Sequence, residues 1–573
     1  MPARPSPIGT WQEICIRKQA ERRSRIPPEW IIPSNKFPGR EVRNVIDFPL
    51  KSGLMSEREL EITEKNACEL VNHIASGSYT SVEVVTAFCH RAALAQQLCS
   101  LTEIMFEDAI KRAAALDDYL AETGTTVGPI HGLPISVKDQ FNVKGYDSTI
   151  GFVAWAENPA DVNSTLVDDL YAAGAVIHVK TNVPVCLMGG ESTNHIFGYT
   201  RNPWNRDLNP AGSSGGEGAL VAFRGSAIGV GTDIGGSIRI PCGVCGLTGL
   251  KPSFGRVSYN LVEGTLKGME SAAAVAGPMA HCAEDLELFM RAVVERQSWM
   301  HDPKLLPIPW RAVELPQRMC FAMSFGDSTL QPHPPIRRGM VELKAALERA
   351  GHSVIEWTLP EADVTERIIG GLFGADGGQD CKARQESRLT ASAKRDSQIG
   401  VRPLAQGAEP PTVSDLWRMQ HQRSEYLHRR LAEWNATESL TGTGRPFDAL
   451  ILPTLATCAR PDPEVHPDHV PKLFCTFWPS LADLSTVVIP LTRCDPSIDL
   501  PETTFVPRSA QDLDLHRSCE SQAYMTRADS IDRDPEIWRD APVGVQVIGR
   551  RLQDEYIVKV CAEIERALER WHR

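Results

Sequence analysis

Between residues 129 and 255 the chain alternates short apolar runs with helical stretches and glycine-rich turns, and this texture constrains the fold most. The runs Ile135-Ser-Val137, Ala175-Val-Ile-His-Val179 and Ala227-Ile-Gly-Val230 have the length of buried strands. A helical pattern over 165–173, closed by Gly174 and followed by the run 176–179, reads as a helix feeding a strand. Such alternation predicts an α/β fold built on a large sheet with helical crossovers. Further strands are predicted at 352–357, 448–453 and 543–548, with a helix over 341–350 capped by Gly351. A length of 573 residues would make roughly four domains at about 150 residues each. No internal repeat and no linker divides the chain, so one large unit is expected instead.

The N-terminal part reads as helices. Thr10-Trp-Gln-Glu13, Ser56-Glu-Arg-Glu59 and Thr80-Ser-Val-Glu83 each fit a capping box, in which hydroxyl and carboxylate satisfy the free N–H groups of a helix start. Pro27-Pro28 should stop the first helix. Val84, Val85, Phe88 and Ala92 fall at helical spacing and predict a buried stripe, that is, core packing. The basic cluster Arg17-Lys18 and Arg22-Arg23-Ser24-Arg25 is expected to be a solvated helix face. The polar stretch 385–412 and the acidic stretch 494–538 are expected on the surface.

Net charge is −12, which argues against a nucleic-acid partner held by a basic surface. The first thirty residues contain no apolar core of a secretory signal, and no run of about 18 apolar residues is present. A cytoplasmic protein without a membrane span is therefore expected, its fifteen cysteines reduced and mostly buried. One C-x-x-C pair, Cys242 and Cys245, has no second pair beside it, so no metal site is expected. His466 and His469 lie in a proline-rich stretch and read as loop residues.

Two segments within the α/β region carry chemistry. They are Gly212-Ser-Ser-Gly-Gly-Glu-Gly218 and Gly229-Val-Gly-Thr-Asp-Ile-Gly-Gly-Ser-Ile-Arg239. Glycine turns let backbone N–H groups converge on an anion. A phosphate loop would need a Lys after the glycines, and neither segment has one. A dinucleotide fingerprint would need Gly-x-Gly-x-x-Gly, and the second segment is one residue too long. An oxyanion hole beside a serine nucleophile is the third reading, and taken alone each segment reads first as a tight turn. Upstream, Gly132-Leu-Pro-Ile-Ser-Val-Lys138-Asp139 puts a lysine at the end of an apolar strand. An exposed lysine is neutral in only about one molecule in 2,500 at pH 7. Burial would have to supply a neutral one able to accept a proton from a hydroxyl.

These residues resemble the amidase signature family. The likeness runs through Gly132 to Asp139, Gly212 to Ser258, Gly277-Pro-Met279, Leu452-Pro-Thr454 and Pro542 to Arg550. Within the family the chain is most similar to fungal acetamidase-type amidases, through Val45-Ile-Asp-Phe-Pro49, Lys51-Ser-Gly53, 86–91 and Ala375-Asp-Gly-Gly378. The resemblance implies a mixed twisted sheet covered by helices on both faces. It implies an N-terminal helical extension (1–60) and one catalytic domain (61–573), with core motifs at 129–280. It also implies a Ser–Ser–Lys triad: Ser237 as nucleophile, Ser213 as bridging serine at a cis peptide bond, and Lys138 as base. The N–H groups of Ile234, Gly235, Gly236 and Ser237 correspond to the oxyanion hole, and Leu187, Met188 and Gly189 to a substrate-contact segment. Asp233 and Arg239 should brace the loop as a charged pair, with Ser214 in support, and Glu217 should stand at a helix N-terminus. Ala211 replaces the family's usual glycine, which is tolerable unless its φ is positive. Cys242 replaces a small Ala or Ser.

The implied reaction is cleavage of a small carboxylic amide to acid and ammonia through an acyl-enzyme, with no metal or organic cofactor. A glutamine-hydrolysing amidotransferase subunit shares the same triad, and an inactive ligand-binding homologue is the alternative outside catalysis. The expected partner is a small-molecule amide, and the resemblance leaves the oligomeric state open, with a homodimer as one option. Short aliphatic amides are the default substrates, with aryl, fatty acyl and secondary-metabolite amides as alternatives.

Overall fold

The computed structural model describes residues 8–98, 101–326, 330–359, 361–386, 411–461, 474–500, 506–510, 512 and 535–572. The described residues form thirteen strands: β1 (Leu101–Ile104), β2 (Pro134–Lys138), β3 (Val176–Thr181), β4 (Thr193–Asn194), β5 (Gly198–Tyr199), β6 (Ile228–Asp233), β7 (Thr248–Lys251), β8 (Val275–Ala280), β9 (Cys320–Met323), β10 (Ser353–Glu356), β11 (Ala449–Pro453), β12 (Thr486–Arg493) and β13 (Pro542–Ile548). Strands β4 and β5 make a small hairpin. The other eleven form one mixed sheet in the order β1-β3-β2-β6-β8-β7-β12-β13-β11-β9-β10. The segment β3-β2-β6 is parallel, as is β10-β9-β11, and antiparallel pairs connect them.

Strands covered on both faces should read as unbroken apolar runs, and the central ones do. Every residue of β2, β3, β6 and β13 is buried. On one side Val137, Val230, Val487 and Val545 share a core with helix Ala283–Val294 and helix Asp554–His572. On the other side, helix Ser81–Leu98 covers the β1–β3 end through Val85, Cys89 and Ala92. Helices Ala362–Phe373 and Val413–Ala436 cover the β9–β11 end.

All three capping boxes form, with reciprocal bonds at Thr10/Glu13, Ser56/Glu59 and Thr80/Glu83. The helix predicted at 341–350 begins earlier, at Pro334. Its first turn is proline, which suits a position with no N–H to satisfy but carries no apolar period to mark it. Most of 385–412, much of 494–538, and His466 and His469 lie outside the described residues. Eleven of the thirteen described cysteines are buried, and all thirteen are free thiols.

The N-terminal basic cluster corrects the expectation of a solvated face. Helix Trp11–Ser24 turns Lys18 inward until only 4% of it is exposed. Its Nζ lies 2.6 Å from Glu103 Oε1 and 2.8 Å from Asp147 Oδ2. Arg25 also reaches Glu103, at 3.1 Å, and Arg22 donates to the Leu101 carbonyl. The two carboxylates sit on β1 and in the loop after β2, far away in sequence, so the local charge run could not reveal them. Removing the cation leaves buried carboxylates short of a partner. Lys18→Met is therefore expected to cost about 3–5 kcal/mol, read as a lower thermal midpoint with the wild-type circular dichroism spectrum retained below it.

Candidate active site

The parallel strands β2 and β6 lie side by side, with Val137 opposite Val230. Their carboxyl ends carry Lys138 and Asp233, where open α/β sheets place ligands. Helix Gly215–Ala222 leads from the glycine–serine turn back into β6. The Gly212–Ser213 peptide bond is cis. Ser192 clips this turn: its Oγ accepts from Gly215 N and donates to the Ala211 carbonyl, each at 3.0 Å. Ala211 sits at φ 60°, so its methyl occupies the conformation in which glycine is favoured.

Lys138 is fully buried. Its Nζ contacts Ser213 Oγ at 2.7 Å and Thr232 Oγ1 at 2.8 Å. Thr232 donates onward to Gln140 Oε1 at 2.7 Å, and Gln140 Nε2 donates to Tyr259 OH at 2.7 Å. Burial pushes the Lys138 ammonium down to about 7, against the pull of the Asp233 and Glu217 charges. A hydroxyl thus faces an amine that is neutral in a large fraction of molecules near pH 7.

The second segment is braced from below. Asp233 and Arg239 are both fully buried and pair at 2.9 Å. All five guanidinium donors of Arg239 are used: two on Asp233, the others on the Thr476 carbonyl, Gln546 Oε1 and Ser480 Oγ. Burial opposes the Asp233 charge, yet Arg239 and the backbone donors hold its carboxyl below the usual range. Asp233 also collects the N–H groups of Gly236 (2.8 Å), Ile238 (3.1 Å) and Arg239 (3.3 Å). The Gly236 N–H is therefore already engaged, unlike the expectation that it faces substrate. Gly236 itself has φ 134°, open to glycine alone at low cost. Ser237 is half-buried, and its carbonyl accepts from Ser214 N at 3.1 Å, joining the two segments. Ser214 is buried against β6, its Oγ 3.3 Å from both the N–H and the carbonyl of Thr232.

Leu187, Met188 and Gly189 run past the same turn. The Gly189 carbonyl packs on the Gly212 backbone. Cys186 and Leu187 have φ of 55° and 65°, and Met188 is 37% exposed. Glu217 stands in the first turn of its helix but points into the sheet, where Ser136 Oγ donates to it at 2.5 Å and Thr181 Oγ1 at 2.7 Å.

Several residues at the site carried no signal in the sequence. Thr476 Oγ1 donates to the Gly235 carbonyl at 2.6 Å. The Phe477 and Phe373 rings come within 3.2 Å and 3.7 Å of where a Cβ on Gly235 would stand. Thr476 and Phe477 lie more than two hundred residues from the loop that they touch, on helix Phe474–Leu481. Gln140 was within reach, since it follows Lys138-Asp139 directly. Among the described residues no cluster of His, Cys, Asp and Glu could hold a metal, and no helix is long and apolar enough to cross a membrane.

The parallel strand ends thus bring a buried lysine amine against the hydroxyl of a glycine–serine turn, an arrangement able to activate a hydroxyl as a nucleophile. The family model described as Amidase matches residues 83–558, and the chain belongs to the amidase signature family. Among curated relatives, the kk1C protein of Curvularia clavata is 44% identical, covering 98% of this chain and 99% of its own. The acetamidase of Emericella nidulans is 38% identical over 98% of each. A solved fatty acid amide hydrolase superposes with a TM-score of 0.85 at 31% identity, covering 97% of this chain and 95% of that one.

Proposed function

We propose that the chain cleaves carboxylic amides to acid and ammonia by a Ser237–Ser213–Lys138 relay. The observation that carries this is the Lys138 amine, wholly buried and 2.7 Å from Ser213 Oγ. Neutral Lys138 takes a proton from Ser213, which takes one from Ser237 as Ser237 Oγ attacks the carbonyl carbon. The N–H groups of Ile234, Gly235 and Ser237 then stabilise the oxyanion. Collapse of the tetrahedral intermediate breaks the C–N bond, and the relay returns the proton to the leaving nitrogen. Water, deprotonated by the same relay, releases the acid.

Short primary amides are the first substrates to expect, supported by the acetamidase of Emericella nidulans. A cavity beside the loop has room for larger acyl groups as well. It measures about 490 Å³, with Leu266, Met269, Leu372, Phe373 and Leu416 on its apolar side and Lys267, Glu270, Asp376 and Asp380 also in its wall. It lies next to the loop through Phe373 beside Gly235, and the superposable fatty acid amide hydrolase is named for fatty acid amides. Ammonia and acid release across acetamide, longer aliphatic amides and aromatic amides tests the reading. Equal amounts of acid and ammonia are expected, with kcat/KM rising along the aliphatic series if the cavity takes the acyl chain. Absence of ammonia from every primary amide would contradict the reaction.

A further inference from the structure

A chain of hydrogen bonds leads from the Lys138 amine away from Ser213. Lys138 Nζ lies 2.8 Å from Thr232 Oγ1, which lies 2.7 Å from Gln140 Oε1. Gln140 Nε2 lies 2.7 Å from Tyr259 OH and 2.9 Å from the Glu263 carbonyl. Gln140 is fully buried and Thr232 nearly so. The transfer of a proton among Ser237, Ser213 and Lys138 makes no use of this chain.

Donor counting from the far end fixes its direction. The Glu263 carbonyl can only accept, so the amide nitrogen of Gln140 must face it. The Glu263 N–H donates back to the Gln140 carbonyl at 2.9 Å, and these two bonds clip the residues together. The amide oxygen of Gln140 is thereby turned to Thr232. It too can only accept, so the Thr232 hydroxyl commits its single proton to Gln140. Toward Lys138, Thr232 is then an acceptor, and one Lys138 N–H points at it. Burial keeps the Tyr259 phenol neutral, pushed up to about 12, so the far end brings no charge to the amine.

We infer that Gln140 is a positioning residue for the proton relay: by holding the Thr232 proton, it keeps the lone pair of Lys138 for Ser213. This rests on Lys138 being the base. A neutral amine has two N–H groups and one lone pair. Among the described residues, Ser213 Oγ and Thr232 Oγ1 are the polar atoms bonded to Lys138 Nζ. With an N–H held by Thr232, the lone pair is left to the Ser213 hydroxyl 2.7 Å away. Without the Gln140 amide, the Thr232 hydroxyl is free to turn and donate to that lone pair, in competition with Ser213. The ammonium formed during attack keeps its bond to Thr232, so no group there has to reorient as the proton arrives.

The test is kcat and KM for wild type, Gln140→Met, Thr232→Val and the double variant, on the primary amide that the wild type turns over fastest. Gln140→Met keeps the length of the side chain and removes its acceptor and donors. Its kcat is expected to fall about tenfold, the worth of one misdirected hydrogen bond, with KM within about twofold of wild type. Thr232→Val is also expected to be slower, because the amine loses its fixed acceptor, but it has no hydroxyl left to misdirect. Adding Gln140→Met to it should therefore change kcat by less than about twofold. An unchanged kcat in Gln140→Met, a loss carried by KM, or losses that multiply in the double variant would make Gln140 merely structural and overturn the inference. If Gln140→Met does not fold, Thr232→Ser decides, because serine keeps the hydroxyl. It should recover most of the kcat that Thr232→Val loses, and an equal loss in both overturns the role. Ser237→Ala on the same amide separates the two claims. Full turnover there defeats the relay itself, whereas an inactive Ser237→Ala beside an unchanged Gln140→Met defeats only the role of Gln140.

Discussion

Ser237→Ala is expected to lower kcat by a factor on the order of 10⁵–10⁶, the loss typical when an acyl-forming serine is removed. The fold should not change. Ser237 is half-buried, and its loop is held by Asp233 and Arg239 together with the Ser214 N–H bond to the Ser237 carbonyl. None of these uses the Ser237 side chain. The residual rate should come from carbonyl polarisation by the remaining N–H groups. Turnover under saturating amide, measured beside a thermal melt, checks both halves. An inactive protein with an unchanged melting midpoint is the expected pair of results.

Lys138→Met is expected to lower kcat by roughly 10³–10⁴ and, in the opposite direction, to stabilise the fold. The wild-type lysine binds a proton at about 7 in the folded chain, against 10.5 as its ordinary value. Between those values the unfolded chain holds more protons than the folded one, so stability rises with pH through that window, by about 1.4 kcal/mol per unit. At pH 7 nearly the whole penalty is present, and it vanishes above pH 10.5. Methionine carries no charge to bury. The variant should therefore melt higher than wild type at pH 7 and lose that advantage as the pH is raised. Its kcat/KM should also lose the limb that falls tenfold per unit below about pH 7, where wild-type Lys138 becomes protonated. A lysine kept only for structure would give the reverse stability change.

Much of the sheet was legible because its chemistry is local. β2, β3, β6, β11 and β13 are apolar runs of strand length, and each formed within two or three residues of where its pattern put it. The capping boxes at Thr10, Ser56 and Thr80 close within four residues, so the sequence contains the whole interaction. The candidate site was legible where glycine spacing and an isolated strand lysine coincide. What escaped the sequence is long-range polar pairing. Lys18 reads as one of several surface cations until Glu103 and Asp147 are brought around it. Arg239 meets Thr476, Ser480 and Gln546 only because helix Phe474–Leu481 and β13 pack under the loop. The seat of Glu217 needs β2, β3 and β6 in register, and no periodicity encodes that register. The engaged Gly236 N–H has the same origin, since the side chain three residues earlier turns back only when Arg239 anchors it.

The central claim is that Ser237 carries the acyl group, and trapping that intermediate tests it most directly. Rapid acid quench during turnover of a slow aromatic amide, followed by proteolysis and mass spectrometry, would locate any acyl adduct. The account predicts one adduct, on Ser237, absent from Ser237→Ala and formed more slowly in Lys138→Met. An adduct on Ser213, Ser214 or a cysteine during productive turnover, or turnover with hydrolysis but no adduct in Ser237→Ala at the wild-type rate, would contradict it.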